Sequence, residues 1–203
     1  PVVTYAIIGI AVVVTLLQQV IPGLTAKLMY VPMLTWHEPW RLLTSIVAHG
    51  GIWHVALNGY ALYIVGPTLE RIFGRARYLA LFLLSALGGS AAVLLLASPD
   101  ERSWITGVVG ASGAVFGLFA ALALTMKRLK RSDSQILVLI GINLVLGFVV
   151  PGISWQAHVG GLVVGGLLAA AYLYAPKKSR PVVAWVAPLV LLAVLGAVMF
   201  LAA

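Results

Sequence analysis

Apolar residues fall along this chain in seven blocks, at 2–21, 52–69, 78–97, 108–126, 136–150, 157–175 and 182–203. A helix needs about 20 such residues to cross roughly 30 Å of hydrocarbon. The blocks therefore predict seven transmembrane helices in an all-α polytopic membrane protein. The fifth block is short, so its helix is expected to be tilted or to sit where the bilayer is thinned. Composition points the same way: 62% of the 203 residues are hydrophobic and only 9% are charged, more apolar surface than a soluble domain of this size can use. Cysteine is absent, which excludes disulfides, thiolate catalysis and cysteine metal sites together.

The net charge of +8 would suggest nucleic acid in a soluble domain; here its placement matters more than its size. Arg71, Arg75 and Arg77 follow the second block, Lys127, Arg128, Lys130 and Arg131 the fourth, and Lys177, Lys178 and Arg180 the sixth. Ten of the thirteen basic residues thus sit in three alternate loops. Under the positive-inside rule those loops are cytoplasmic, the N-terminus is inside and the C-terminus outside. The opposite loops hold Lys27, Arg41 and Arg102 with Glu38, Asp100 and Glu101. No nucleic-acid partner is expected. The chain opens at Pro1 on an apolar run, without the basic leader and shorter core of a signal peptide. It reads as the membrane core of a longer protein.

The first outer loop, 22–51, is long and, with Trp53 just beyond it, carries Tyr30, Trp36 and Trp40, a content suited to the membrane interface. Loops of this length in compact domains are usually functional or partly helical. It is expected to fold in the outer leaflet with its backbone satisfied internally. In the fourth and sixth blocks, Gly113-x-x-x-Gly117 and Gly161-x-x-x-Gly165 are small-xxx-small faces that let helix backbones approach closely.

Polar groups in hydrocarbon are costly, and ionisable ones there are candidates for function. The apolar blocks hold His54 and Asn58 in the second, Ser112 in the fourth, Asn143 in the fifth and His158 in the sixth. Hydroxyls such as Thr15 and Ser85 need only a backbone carbonyl, and Asn143 reads as an interhelical hydrogen bonder. Counting back from Lys127, Lys177 and Arg71 at about 1.5 Å per residue puts Ser112 roughly 22 Å, His158 roughly 28 Å, and His54 and Asn58 roughly 26 and 20 Å above the inner face. These four groups on three helices share one outer-leaflet layer.

The chemistry open to such a layer is narrow. A serine nucleophile needs a base within reach, and His158 is the depth-matched candidate. His54 and Asn58, four apart on one helical face, can aim donors at a developing oxyanion, and the Ser112 amide near a helix start can add another. No carboxylate shares this depth: Glu70 and Asp133 belong to the inner face and the remaining acids to the outer loops. A Ser-His dyad is therefore expected in place of a triad. The zinc-protease pattern His-Glu-x-x-His is absent, an aspartyl mechanism lacks its two intramembrane aspartates, and a metal on His49, His54 and His158 would have no orienting carboxylate. Neither metal nor cofactor is expected.

At these residues the chain resembles the rhomboid intramembrane serine proteases. Gly110-Ala111-Ser112-Gly113 is similar to the family's G-x-S-G, Ala157-His158-Val159-Gly160-Gly161 to its A-H-x-x-G, and His49-x4-His54-x3-Asn58 to its H-x4-H-x3-N. Trp40-Arg41 resembles the W-R of the first loop, and Gly66-x3-Glu70-x3-Gly74 a further family motif. All five occur in family order. The resemblance implies a six-helix core, 1–175, that cleaves transmembrane substrates in or near the bilayer, admitted beside the second and fifth helices. It implies a small residue before the cut and helix-destabilising residues beyond it. It gives Ser112 as nucleophile, His158 as base, His54, Asn58 and the Ser112 amide as oxyanion donors, and His49, Arg41 and Glu70 as structural partners. Phe116 stands where some members carry a tyrosine packed on the histidine. Residues 176–203 would form a cytoplasmic linker and a seventh helix, the six-plus-one arrangement of a prokaryotic-type member in a bacterial plasma membrane. The competing reading is a non-catalytic relative that binds or escorts membrane clients; a transporter is weaker, lacking an acidic relay.

Overall fold

The computed structural model describes residues 1–130, 134–150 and 152–202, except for the side chains of 135–137, 139, 143 and 146–148. Arg131, Asp133 and the Asn143 side chain, each assigned a place above, lie outside the described residues. The long helices are α1 (Val2–Val20), α4 (Ile52–Phe73), α5 (Arg75–Leu95), α6 (Ser112–Arg128), α7 (Ser134–Val149), α8 (Trp155–Tyr174) and α9 (Arg180–Ala202). Two short ones, α2 (Leu24–Leu28) and α3 (Arg41–Val47), lie in the first loop. Each of the seven apolar blocks has its helix. By length and composition, α1, α5, α8 and 177–202 are long and apolar enough to cross a membrane. The chain is an all-α, multi-pass integral membrane protein.

Two boundaries differ from those expected, each for a local reason. Arg75 and Arg77 do not occupy a loop: α4 and α5 are separated by Gly74 alone. Its φ of +78°, which suits a residue without Cβ, turns the chain, while its N–H donates to the Glu70 carbonyl at 2.8 Å. The fourth helix starts at Ser112, not 108, because the preceding residues are tied to the first loop. Tyr30 and Val108 exchange amide–carbonyl bonds of 2.9 and 2.8 Å in an isolated antiparallel bridge.

That first loop is a folded element. Arg41, nearly buried, donates to the carbonyls of Ala26 (2.6 Å) and Met29 (2.9 Å) and pairs with Glu38, so one guanidinium gathers α2, the turn after it and the start of α3. Trp36, Trp40 and Trp53 are exposed, as interfacial side chains are, but Tyr30 is 1% exposed and its hydroxyl bonds to Thr35. It is a core residue; burial of its ring holds the bridge to Val108. At the far end of α4, buried Glu70 accepts from the amides of Val3 (3.1 Å) and Thr4 (2.9 Å) and from the Thr4 hydroxyl (2.8 Å). These amides at the start of α1 have no intrahelical acceptor, so the carboxylate caps α1 while fastening it to α4.

The core is centred on α5, α6 and α8. Gly113 and Gly117 face Gly161 and Gly165 across α6 and α8. A Cβ built on Gly161 would lie 2.6 Å from the Gly113 carbonyl carbon, and one on Gly117 would lie 2.9 Å from the Gly161 oxygen. No side chain fits between backbones this close. Ser85 bonds to the Leu81 carbonyl at 2.6 Å, as such hydroxyls do. Thr15 does not: its buried hydroxyl has no partner among the described residues. The seventh helix, α9, packs on this core through Leu195 and Met199.

Candidate active site

His54, Ser112 and His158 lie in the first turns of α4, α6 and α8, with Asn58 one turn further along α4. Ser112 is the first residue of its helix, so its N–H has no intrahelical acceptor. Before it, Gly110 adopts φ +119°, and a Cβ there would lie 2.7 Å from both Cε1 and Nε2 of His54. The missing side chain at Gly110 therefore lets the His54 ring come up against the backbone that leads into Ser112.

Three contacts from the first loop fix that lead-in: the Tyr30–Val108 bridge, the Gly110 amide donating to the Ser45 carbonyl at 2.9 Å, and the Ala111 amide donating to His49 Nε2 at 3.4 Å. His49 is 1% exposed, and its own backbone is bracketed by the Gln18 side chain of α1, which donates to its carbonyl and accepts from its amide, both at 3.0 Å. Its Nδ1 faces the Val47 carbonyl at 3.2 Å, which places the ring proton there and leaves Nε2 free to accept. Burial first, and then the neighbouring His54, push its pKa down to about 4. The neutral ring this favours is the form that can accept from Ala111.

His54 has the other tautomer. Its Nδ1 accepts from the Gly50 amide at 3.3 Å, so in the neutral ring the proton sits on Nε2, one of the two ring atoms that face Gly110. The two imidazoles meet edge to face, centroids 5.0 Å apart. Asn58 is buried and its Nδ2 donates to the His54 carbonyl at 3.0 Å, leaving its second N–H for another acceptor.

His158 is buried against Phe116, ring centroids 4.2 Å apart and 13° from parallel. Phe116 is four residues after Ser112 and so lies on the same face of α6. Gly113, the residue after the serine, lies against the carbonyl of Ala157, the residue before the histidine; a Cβ there would be 3.2 Å from that oxygen. The histidine-bearing turn of α8 is thereby set against the serine-bearing turn of α6. His158 Nδ1 has no hydrogen-bond partner among the described residues. Flat stacking on Phe116 braces the ring. The α8 start is capped by Ser154, whose hydroxyl accepts from the Ala157 amide at 3.3 Å. The arrangement offers one hydroxyl, one buried imidazole and N–H donors from two further groups. Among the described residues, no cluster of three or more metal-ligating side chains could hold a metal ion.

Arg41 and Glu70 stand apart from this layer, in the first loop and at the far end of α4. Gln18, Tyr30 and Ser45 contribute to the site's support without having been singled out as candidates. For Gln18 a signal existed, an amide inside the first apolar block. Ser45 acts through its carbonyl, which no side-chain pattern reveals.

Comparison with known proteins shows the family. Residues 36–175 match the model of the rhomboid domain, more than half of the chain. The chain is 43% identical over 147 residues to rhomboid protease GluP of Bacillus subtilis, covering 70% of this chain and 27% of that protein. It is 32% identical to the putative rhomboid protease YdcA of the same organism, over 70% of this chain and 71% of the relative. It is 38% identical to RHOMBOID-like protein 1 of Arabidopsis thaliana, over 70% of this chain and 36% of the relative. The matched region thus spans roughly a quarter to a third of GluP and the plant protein. From the domain match and these identities, the chain belongs to the rhomboid family.

Proposed function

We propose that this protein is an intramembrane serine endopeptidase that hydrolyses peptide bonds of transmembrane substrates in or near the outer leaflet. The observation that carries the proposal is the Phe116–His158 stack at 4.2 Å on the face of α6 that begins with Ser112. A buried imidazole whose Nδ1 has no partner among the described residues, against the helix start that presents a serine, suits a Ser-His dyad. Relatives named as rhomboid proteases in Bacillus subtilis and Providencia stuartii support the same reading.

In the proposed reaction the Ser112 hydroxyl attacks the scissile carbonyl while His158 takes its proton. The C–N bond then breaks, His158 returning the proton to the leaving amine, and water attacks the remaining ester by the same route to restore the serine. Negative charge on the tetrahedral oxygen is held by the Ser112 amide, His54 Nε2–H and the free N–H of Asn58. His49, Arg41 and Glu70 act as positioning residues, and Gly113, Gly117, Gly161 and Gly165 permit the helix approach that makes the dyad. Residues 1–175 form the catalytic core and 176–203 the linker and added helix. The basic loops face the cytoplasm of a bacterial cell, with the N-terminus inside and the C-terminus outside.

The test is cleavage of a transmembrane reporter by purified protein. Ser112→Ala should abolish it; cleavage at the wild-type rate by that variant would sink the mechanism. A chain that only binds clients would capture the reporter without cutting it in either form.

A further inference from the structure

At the end of the bundle opposite Ser112, α4 turns into α5 and α8 leads into α9. Between these two corners opens a groove of about 530 Å³. Its wall on the α9 side is the first half of that helix, where Val183 and Ala187 pack on the core while Val182, Trp185, Val186 and Leu189 are exposed. Arg75 and Arg77 from the first turn of α5 and Arg180 from the start of α9 line this groove together, with Ala80, Ala184 and Trp185.

Three cations in one groove repel one another, and nothing in the described structure neutralises them. Among the described residues the one ion pair is Glu38–Arg41 in the distant first loop, and nearby Glu70 is committed to the start of α1. Arg180 spends its Nε on the Ala175 carbonyl at 3.4 Å, which leaves its terminal nitrogens available. Two helix N-termini, those of α5 and α9, meet at the same place and add partial positive charge. Solvated arginines serving only as topological anchors would not need a cleft. Here the charges rim a groove walled by alanine, proline and tryptophan, in a protein that spans a bilayer. A ligand that is anionic at one end and apolar along the rest fits both features; free phosphate fits only the first.

We propose that the groove between the α4–α5 corner and the first half of α9 binds an anionic phospholipid, with Arg75, Arg77 and Arg180 on its phosphate and an acyl chain lying between α5 and α9. Arginine suits this role through its paired donors to phosphate oxygens, and basic pockets between transmembrane helices are recurrent sites of anionic headgroup binding. The lipid would then fill the groove and add to the contact that the seventh helix already makes with the core. The proposal rests on the chain's being an integral membrane protein and does not depend on its being a protease.

The test is native mass spectrometry of the full chain in detergent, titrated with dioleoyl phosphatidylglycerol or with phosphatidylcholine of the same chains. Phosphatidylglycerol should bind roughly tenfold or more tightly than phosphatidylcholine. The combined variant Arg75→Gln, Arg77→Gln, Arg180→Gln should lose that preference. Lys127→Gln, Lys130→Gln, Lys178→Gln, which removes three charges from the same face outside the groove, should keep it. Ala184→Trp fills the groove with all three arginines present and should also weaken binding, which covers the case in which the arginine variant fails to fold. No preference for phosphatidylglycerol, a preference surviving both groove variants, or equal loss in the lysine variant would overturn the proposal. So would displacement of the lipid by inorganic phosphate at matching concentration, which would mark a free-anion site.

Discussion

His49 Nε2 accepts the amide of Ala111, the residue immediately before Ser112, at 3.4 Å. A side chain from the first loop therefore holds the backbone that carries the candidate nucleophile, and Gln18 of α1 holds that side chain's own backbone in turn. Removing the imidazole leaves a buried N–H without a partner, which costs about 1–3 kcal/mol. His49→Ala should lower thermal stability by that amount and reduce turnover, while His49→Gln should recover part of both. Scanning calorimetry beside a cleavage assay checks this. Unchanged stability in His49→Ala would mean the contact carries no energy.

The α6–α8 contact should be intolerant of a single methyl group. Gly161→Ala sets a Cβ 2.6 Å from the Gly113 carbonyl carbon, with backbone on both sides and no flexible side chain to yield. Overpacking of this kind costs about 1–3 kcal/mol, and the shift that relieves it moves His158 away from Ser112. Activity should therefore fall more steeply than stability. Gly196→Ala in α9, where a Cβ meets nothing within 4 Å, is the control and should be neutral or stabilising.

Phe116→Ala should lower kcat with little change in KM, because its ring orients His158 and, on the proposed mechanism, does not touch substrate. The lost stack corresponds to about 0.5–1.5 kcal/mol. Phe116→Tyr keeps the ring and should retain most activity. Equal kinetics for Phe116→Ala and wild type would show that something other than the stack positions the histidine.

Asn58 separates two roles. If its free N–H meets the oxyanion, Asn58→Ala should lower kcat by roughly 10²–10³-fold with KM nearly unchanged. If it only braces the His54 carbonyl, to which it already donates at 3.0 Å, the loss should follow stability instead. Steady-state kinetics on folded variant distinguishes the two.

Much of the architecture was legible because membrane helices announce themselves by length and hydropathy: every apolar block became a helix. That Gly113, Gly117, Gly161 and Gly165 mark close helix approach was legible too, since small residues four apart have few other uses in a bilayer, but not that the two pairs meet each other. What the chain hid was contact made by backbone. The Tyr30–Val108 bridge and the Ser45 carbonyl determine where α6 begins, and neither has a side-chain signature. Tyr30 looked interfacial because an aromatic with a hydroxyl suits that layer; its burial depends on Thr35, five residues on and brought near by a turn of the loop. The tautomers of His49 and His54 were likewise hidden, being set by the carbonyl of Val47 and the amide of Gly50.

The central claim, that His158 activates Ser112, is tested most directly by mapping a fluorophosphonate adduct by peptide mass spectrometry in wild type and in His158→Ala. The account predicts a single adduct on Ser112 in wild type, its rate reduced by about 10²–10⁴-fold when the imidazole is removed. Labelling of Ser112 at equal rates in both proteins would contradict it.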